Sequence, residues 1–184
     1  SWLTVPIQTS GMQGNCPISQ LTIQKDSPWR RKHLASIREN YARSSHVLDH
    51  IDFLDDAYSR EWDSLSSLCN HLTKWMMNTI GLNIEVIRSS DMKLGNTGSD
   101  LILEICQEVQ ATKYLSGPFG RDYLDVNDFS RNSIEVLFHD YEHPEYSQAW
   151  PGFESHMSCL DLVLNHGDTS LEILESSSDS LRAN

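Results

Sequence analysis

The 184 residues include 39% hydrophobic and 22% charged side chains, ordinary globular values that suit one domain with one sizeable core. No apolar run approaches the ~20 residues that span a bilayer, and no basic stretch followed by an apolar one opens the chain, so neither a membrane span nor a signal peptide is expected. The formal charge of −12 falls on one half: residues 1–98 carry ten acids and ten bases, residues 99–184 sixteen acids and four bases, a balance that repels a phosphate backbone and argues against a nucleic-acid partner.

In chain order, residues 2–7 and 18–24 read as two strands separated by the loop residues Ser10-Gly11-Met12-Gln13-Gly14-Asn15. The chain starts Ser1-Trp2-Leu3 with no Met, and a missing N-terminal segment is expected. Ser27-Pro28 opens a helix, because serine caps and proline is preorganised for the first turn. Trp29, Leu34, Ile37 and Tyr41 follow at helical spacing. Helices over about 47–60 and 62–80 carry apolar stripes, and Gly81 ends the second. These stripes read as core. Ile84–Ile87 is a short β-branched strand, 99–110 a helix, Thr112–Leu115 a strand, 124–131 a short helix and Ile134–Phe138 a strand. Leu160–Asn165 and Thr169–Leu174 close the domain as helical segments. The alternation predicts an α/β fold: a single domain over 1–175, with a mainly parallel, Rossmann-like sheet, flanking helices and a flexible tail over 176–184.

Ligands gather at the carboxyl ends of parallel strands. Three such ends are Arg88-Ser89-Ser90-Asp91, Ser116-Gly117 and His139-Asp140-Tyr141. The first leads through Asn96-Thr97-Gly98-Ser99 into a helix, a place for an anion or an ordinary cap. In Ser116–Tyr123, Gly117 and Gly120 allow close backbone approach, and Arg121 is able to pair with a phosphate or carboxylate. The spacing matches neither a Walker loop nor the dinucleotide fingerprint, so a tight turn without a ligand is an equal reading. In His139–Gln148, two histidines stand among three carboxylates. Pro144 argues against a helix that would align His139 and His143 on one face, so no metal and no cofactor are expected. A histidine beside a carboxylate is a general acid or base in this setting, and a surface histidine is the plain alternative. Arg30-Arg31-Lys32 reads as a solvated helix face, with phosphate contact as the second reading. Cys16, Cys69, Cys106 and Cys159 form no CxxC pair; Cys69 and Cys106 read as core, and the pattern suits a reducing, cytoplasmic setting.

Several blocks together carry a resemblance. They are Trp2-Leu3-Thr4-Val5-Pro6, Trp29-Arg30-Arg31-Lys32-His33-Leu34, Ile87-Arg88-Ser89-Ser90, and Tyr114-Leu115-Ser116-Gly117-Pro118-x-Gly120-x-Asp122-Tyr123-Leu124. His143-Pro144-x-Tyr146-x-Gln148, Ser158-x-x-Asp161-Leu162 and Asn165-x-Gly167 complete them. In this order they resemble the WbqC-like family of bacterial proteins. The chain departs from the family at His166, where many relatives carry Cys. The resemblance implies a further N-terminal stretch ahead of Trp2, so a partner chain or a missing segment is expected to complete the active unit. It also implies a link to O-antigen and related polysaccharide biosynthesis, and a transferase that attaches an acyl or aminoacyl group, glycine in one suggestion, to an amino sugar. The implied small-molecule substrate is a nucleotide-linked sugar.

Under that reading Ser116, Gly117 and Gly120 cradle a phosphate or oxyanion, and Arg88 or Arg121 neutralises charge. His143, helped by Asp140 or Glu142, takes the proton of the attacking amine. Gln148 and Asn165 orient the substrate; Ser89, Tyr123 and Tyr146 complete the binding set. Two other classes remain open: a non-catalytic binding subunit of a biosynthetic complex, and a nucleotide-dependent activating enzyme holding phosphates at Thr97–Ser99 and Ser116–Gly120.

Overall fold

A computed structural model describes residues 2–8, 11 and 16–176, together with the backbone of 181–183. In chain order the elements are α1 (Trp29–Asn40), α2 (Val47–Ser59), α3 (Leu65–Thr79), α4 (Gly98–Glu108), β1 (Lys113–Ser116), α5 (Val126–Arg131), β2 (Glu135–His139), α6 (Cys159–His166), α7 (Ser170–Glu175) and β3 (Leu181–Ala183). The chain is a mixture of helices and strands divided into two compact units, residues 1–84 with 145–173 and residues 85–144 with 174–184.

The first unit is helical. Ser64 caps α3 by accepting from the Ser67 N–H. Ile23, Trp29 and Leu68 form one buried cluster; Ile37, Leu54 and Leu164 form another, so α1, α2, α3 and α6 turn their apolar stripes inward as their periodicity predicts. Phe53 stacks on Trp75 with ring centroids 4.5 Å apart. Cys69 is a correction: it is exposed, because it lies one residue, about 100°, round α3 from buried Leu68. Cys106 is buried as expected.

The expected strands over 2–7 and 18–24 shrink to single bridges, Ile7 with Ile23 and Thr22 with Ser64, and Ile18–Gln20 is a 3-10 turn. Pro6 and Pro17 remove the donors that a longer ladder needs. Ile84–Ile87 has no regular secondary structure and joins no strand among the described residues, and Ile84, Val86 and Ile87 are exposed. β-branched composition reports fitness for a sheet, and among the described residues no strand pairs with it.

The second unit holds the sheet. β1 and β2 pair in parallel, Lys113 to Ser116 against Glu135 to Phe138, and β3 lies antiparallel on the other side of β2. Parallel pairing is therefore confined to two strands among the described residues, which is less sheet than a Rossmann-like core requires. Cys106, Leu124, Phe129, Ile134, Val136 and Phe138 form the core beneath it, with Phe129 and Phe138 fully buried. Asp125 caps α5 through the N–H groups of Asn127 and Asp128. β3 falls within the segment expected to be a frayed tail; residues 177–180 and 184 of that segment lie outside the described residues.

Burial sets an acid limit. His33 is buried and donates from Nε2 to the Thr4 carbonyl at 3.1 Å. Desolvation holds its imidazole below the usual histidine range, and the same cause acts on His50. The unfolded chain then takes up these protons first. The stabilisation is complete above pH ~6.5 and is lost as pH falls through that value. Thermal melts between neutral and acid pH are expected to show this loss, and His33→Leu is expected to flatten part of it. An unchanged slope in that variant contradicts the assignment.

Candidate functional site

Because β1 and β2 are parallel with Ser116 opposite Phe138, their carboxyl ends open onto one edge of the sheet. From β1 the chain passes Gly117 into a 3-10 turn, Pro118–Asp122, with proline in its first position. Ser116 is only 3% exposed and donates from Oγ to the Gly117 carbonyl at 3.1 Å. The two glycines differ. Gly117 has φ −67° and open space around it. A Cβ on Gly120 would run into Ser116 Oγ and stand 3.0 Å from Leu124 Cδ1. Gly120 thus lets the turn fold down onto Ser116.

Gly120→Ala is expected to cost about 1–3 kcal/mol by overpacking. Gly117→Ala is expected to be nearly neutral. Adding Ser116→Ala to Gly120→Ala is expected to recover part of the loss, since the worst clash leaves with Oγ. Denaturant midpoints measure all four proteins; strict additivity contradicts the contact.

From β2 the chain continues into Asp140. Arg121 of the first loop grips it with both guanidinium nitrogens, Nη1 to Oδ1 at 2.8 Å and Nη2 to Oδ2 at 3.1 Å. The guanidinium carbon also lies 4.5 Å from the centre of the Phe138 ring. A planar fork on a carboxylate, stacked on an aromatic face, is a well-oriented tie. It joins the two strand-exit loops. Arg121, expected to meet a ligand anion, meets an internal one.

His143 is half-buried in the second loop. Its Nδ1 lies 2.9 Å from the Pro144 carbonyl. A carbonyl oxygen only accepts, so the neutral ring carries its proton on Nδ1 and its lone pair on Nε2. Tyr141 touches this ring edge-on at 5.9 Å and also faces His139 at 5.5 Å. Tyr123, at the end of the first turn, is 55% exposed. The Tyr114 hydroxyl reaches Ser116 and Tyr123, and burial pushes its pKa up. Ser116, Gly117, Gly120, Arg121, Tyr123, Asp140 and His143 thus belong to one pair of neighbouring strand exits.

Arg88 and Ser89 lie at another 3-10 turn of the same unit, Ser89–Asp91. The N–H groups of Gly95 and Asn96 ahead of α4 bind the Glu104 carboxylate at 3.0–3.1 Å. Ser99 Oγ accepts from the Asp125 N–H at 3.0 Å. Of the groups read as an anion site before α4, the Asn96 N–H and the Ser99 hydroxyl are thus engaged internally.

Tyr146, Gln148 and Asn165 belong to the first unit, where they surround Asp161, a residue of the family blocks to which the sequence assigned no role. Asp161 is 5% exposed, and its Oδ2 accepts from the Tyr146 hydroxyl and from Gln148 Nε2, each at 3.0 Å. The Tyr41 hydroxyl lies close enough to feel this carboxylate. Burial first, then the Asp161 charge, pushes both tyrosines above their ordinary range. Asn165 donates to the Asp161 carbonyl at 2.8 Å and accepts from Ser44 Oγ at 2.9 Å. Gln148 also closes a loop, donating to the Glu154 carbonyl and accepting its N–H. The available signal was a carboxylate inside the apolar run Leu160-Asp161-Leu162-Val163-Leu164. His166 donates from Nε2 to the Ser147 carbonyl at 2.8 Å.

Among the described residues no group of three or more His, Cys, Asp or Glu side chains is placed to hold a metal ion. No helix there is long and apolar enough to cross a membrane.

The molecule is thus a mixed helix–strand protein whose polar residues converge at two parallel strand exits and, in its helical unit, on one buried carboxylate. The chain belongs to the WbqC-like protein family, whose model matches residues 1–173. It is similar to the uncharacterized protein Rv1507c of Mycobacterium tuberculosis, with 32% identity over 168 residues, covering 90% of this chain and 72% of the relative. No solved structure matches the chain.

Proposed function

We propose that the protein is a transferase that moves an acyl or aminoacyl group, glycine being one candidate, onto the amino group of a nucleotide-linked amino sugar in bacterial surface polysaccharide biosynthesis. Membership of the WbqC-like family supports the setting. The observation that carries the chemistry is the His143 Nδ1 bond to the Pro144 carbonyl, which turns the lone pair to Nε2. That tautomer is the one a general base acting through Nε2 requires.

In the step, the amine nitrogen attacks the donor carbonyl, and a C–N bond forms as the bond to the leaving group breaks. The amine proton passes to His143 Nε2 and then to the leaving group. The Arg121–Asp140 tie and the Ser116–Gly120 turn hold the loop geometry. Tyr123 offers an exposed aromatic surface for the sugar or its carrier. Arg88 and Ser89 bind at the margin, and Tyr146, Gln148 and Asn165 fix the segment that follows His143.

The test is mass spectrometry of the purified chain with UDP-linked amino sugars and a panel of acyl and glycyl thioesters. An acceptor that gains the mass of the acyl group supports the proposal. Sugar-nucleotide binding without turnover on any donor overturns it in favour of a binding subunit. ATP-dependent pyrophosphate release without acyl transfer overturns it in favour of an activating enzyme.

A further inference from the structure

A cleft of about 520 Å3 opens in the helical unit between the start of α1 and the end of α2. That volume lies within the range of small-molecule sites. Ser27, Arg30, Arg31 and Leu34 line it from one side, Tyr58 and Ser59 from the other. One acid, Asp55, also reaches it, but both of its oxygens are gripped by Arg38 at 2.5–2.6 Å. Asp56 beside it pairs with Arg60 at 2.5 Å. The carboxylates on this stretch of α2 are thus matched by arginines outside the cleft.

The cations inside it are not matched. Arg30 is half-buried and its Nη1 donates to the Arg60 carbonyl, which orients the guanidinium without neutralising it. Arg31 makes no hydrogen bond and no ion pair among the described residues. The same holds for the hydroxyl of half-buried Tyr58. In a chain with a formal charge of −12, two adjacent arginines facing a cleft without a carboxylate of their own mark a local positive field. The cleft also has an apolar wall, Leu34 and the Tyr58 ring. We infer that it binds a phosphate-bearing small molecule, with the anion on Arg30 and Arg31 beside the Ser27 hydroxyl and a ring against Leu34 and Tyr58; the Ser59 hydroxyl already donates to the Asp56 carbonyl. Guanidinium forks suit phosphate oxygens, and a serine hydroxyl adds a further donor to such a shell. The inference stands apart from the transfer reaction: it requires binding only.

The test is titration of the whole chain with inorganic pyrophosphate, UDP and uridine, followed by calorimetry and by amide shifts. Pyrophosphate and UDP are expected to bind and to shift Ser27–Leu34 and Ser59, with uridine much weaker. Arg31→Ala is expected to weaken UDP roughly ten- to hundredfold, the effect of losing charge-assisted hydrogen bonds. Arg31→Lys is expected to recover part of it, and Lys74→Ala on α3 to change nothing. Arg31 is exposed, so its variants are expected to melt as the parent does. No binding at millimolar pyrophosphate overturns the inference. So does binding that Arg31→Ala leaves intact, or uridine binding as tightly as UDP.

Discussion

Replacing His143 by alanine is expected to lower kcat/KM for acyl transfer by about 10²–10⁴, the usual contribution of a positioned general base. The residue is half-buried in a loop and its ring bonds to the neighbouring Pro144 carbonyl. Its loss therefore removes little packing, and the variant is expected to keep its circular dichroism and its melt. His143→Gln is the sharper variant. Glutamine donates to the Pro144 carbonyl much as Nδ1 does, but it takes no proton at ordinary pH. Both variants are expected to lose turnover alike. Near-normal turnover in either, with folding retained, sinks the assignment of the base.

Asp161→Ala is expected to be the most destabilising polar substitution in the helical unit, at about 3 kcal/mol. The carboxylate collects Tyr41, Tyr146 and Gln148 in a nearly dry site. Removing it leaves buried donors unsatisfied at about 1–3 kcal/mol each. The relief of one buried charge offsets part of that sum. Asp161→Asn keeps the shape and one acceptor oxygen, so a smaller loss is expected. Urea unfolding reads both, and a midpoint for Asp161→Ala within error of the parent contradicts the structural weight given to this carboxylate. The same network predicts an alkaline limb. With Tyr41 and Tyr146 raised in the folded state, the unfolded chain ionises first, so stability falls as pH rises above ~10.

Local pattern made much of this fold legible. α1, α2 and α3 have apolar residues at helical spacing, and packing rewards that period directly. β1 and β2 were marked by short strand-like runs ending in Ser116-Gly117 and His139-Asp140. Pairing is non-local and was harder to read. Ile84–Ile87 has strand composition but no partner strand among the described residues, and a proline lies within the first expected strand and another directly before the second. The site was legible to a similar depth. Residue types identified the Ser116–Tyr123 and His139–His143 loops, and parallel pairing puts them on one edge. Spacing alone does not encode that Arg121 would clasp Asp140, or that Gly120 would clear room for Ser116. Asp161, named only within a family block, received no role because it looks like one more helix residue until its burial is known.

The most direct test of the central claim needs no substrate. Long-range 1H–15N spectra of the histidine side chains report which ring nitrogen carries the proton. For neutral His143 the Pro144 contact predicts a protonated Nδ1 and a lone pair on Nε2. Protonated Nε2 with a bare Nδ1 contradicts the account, because the lone pair would then face a carbonyl and no base would be presented at the strand exits.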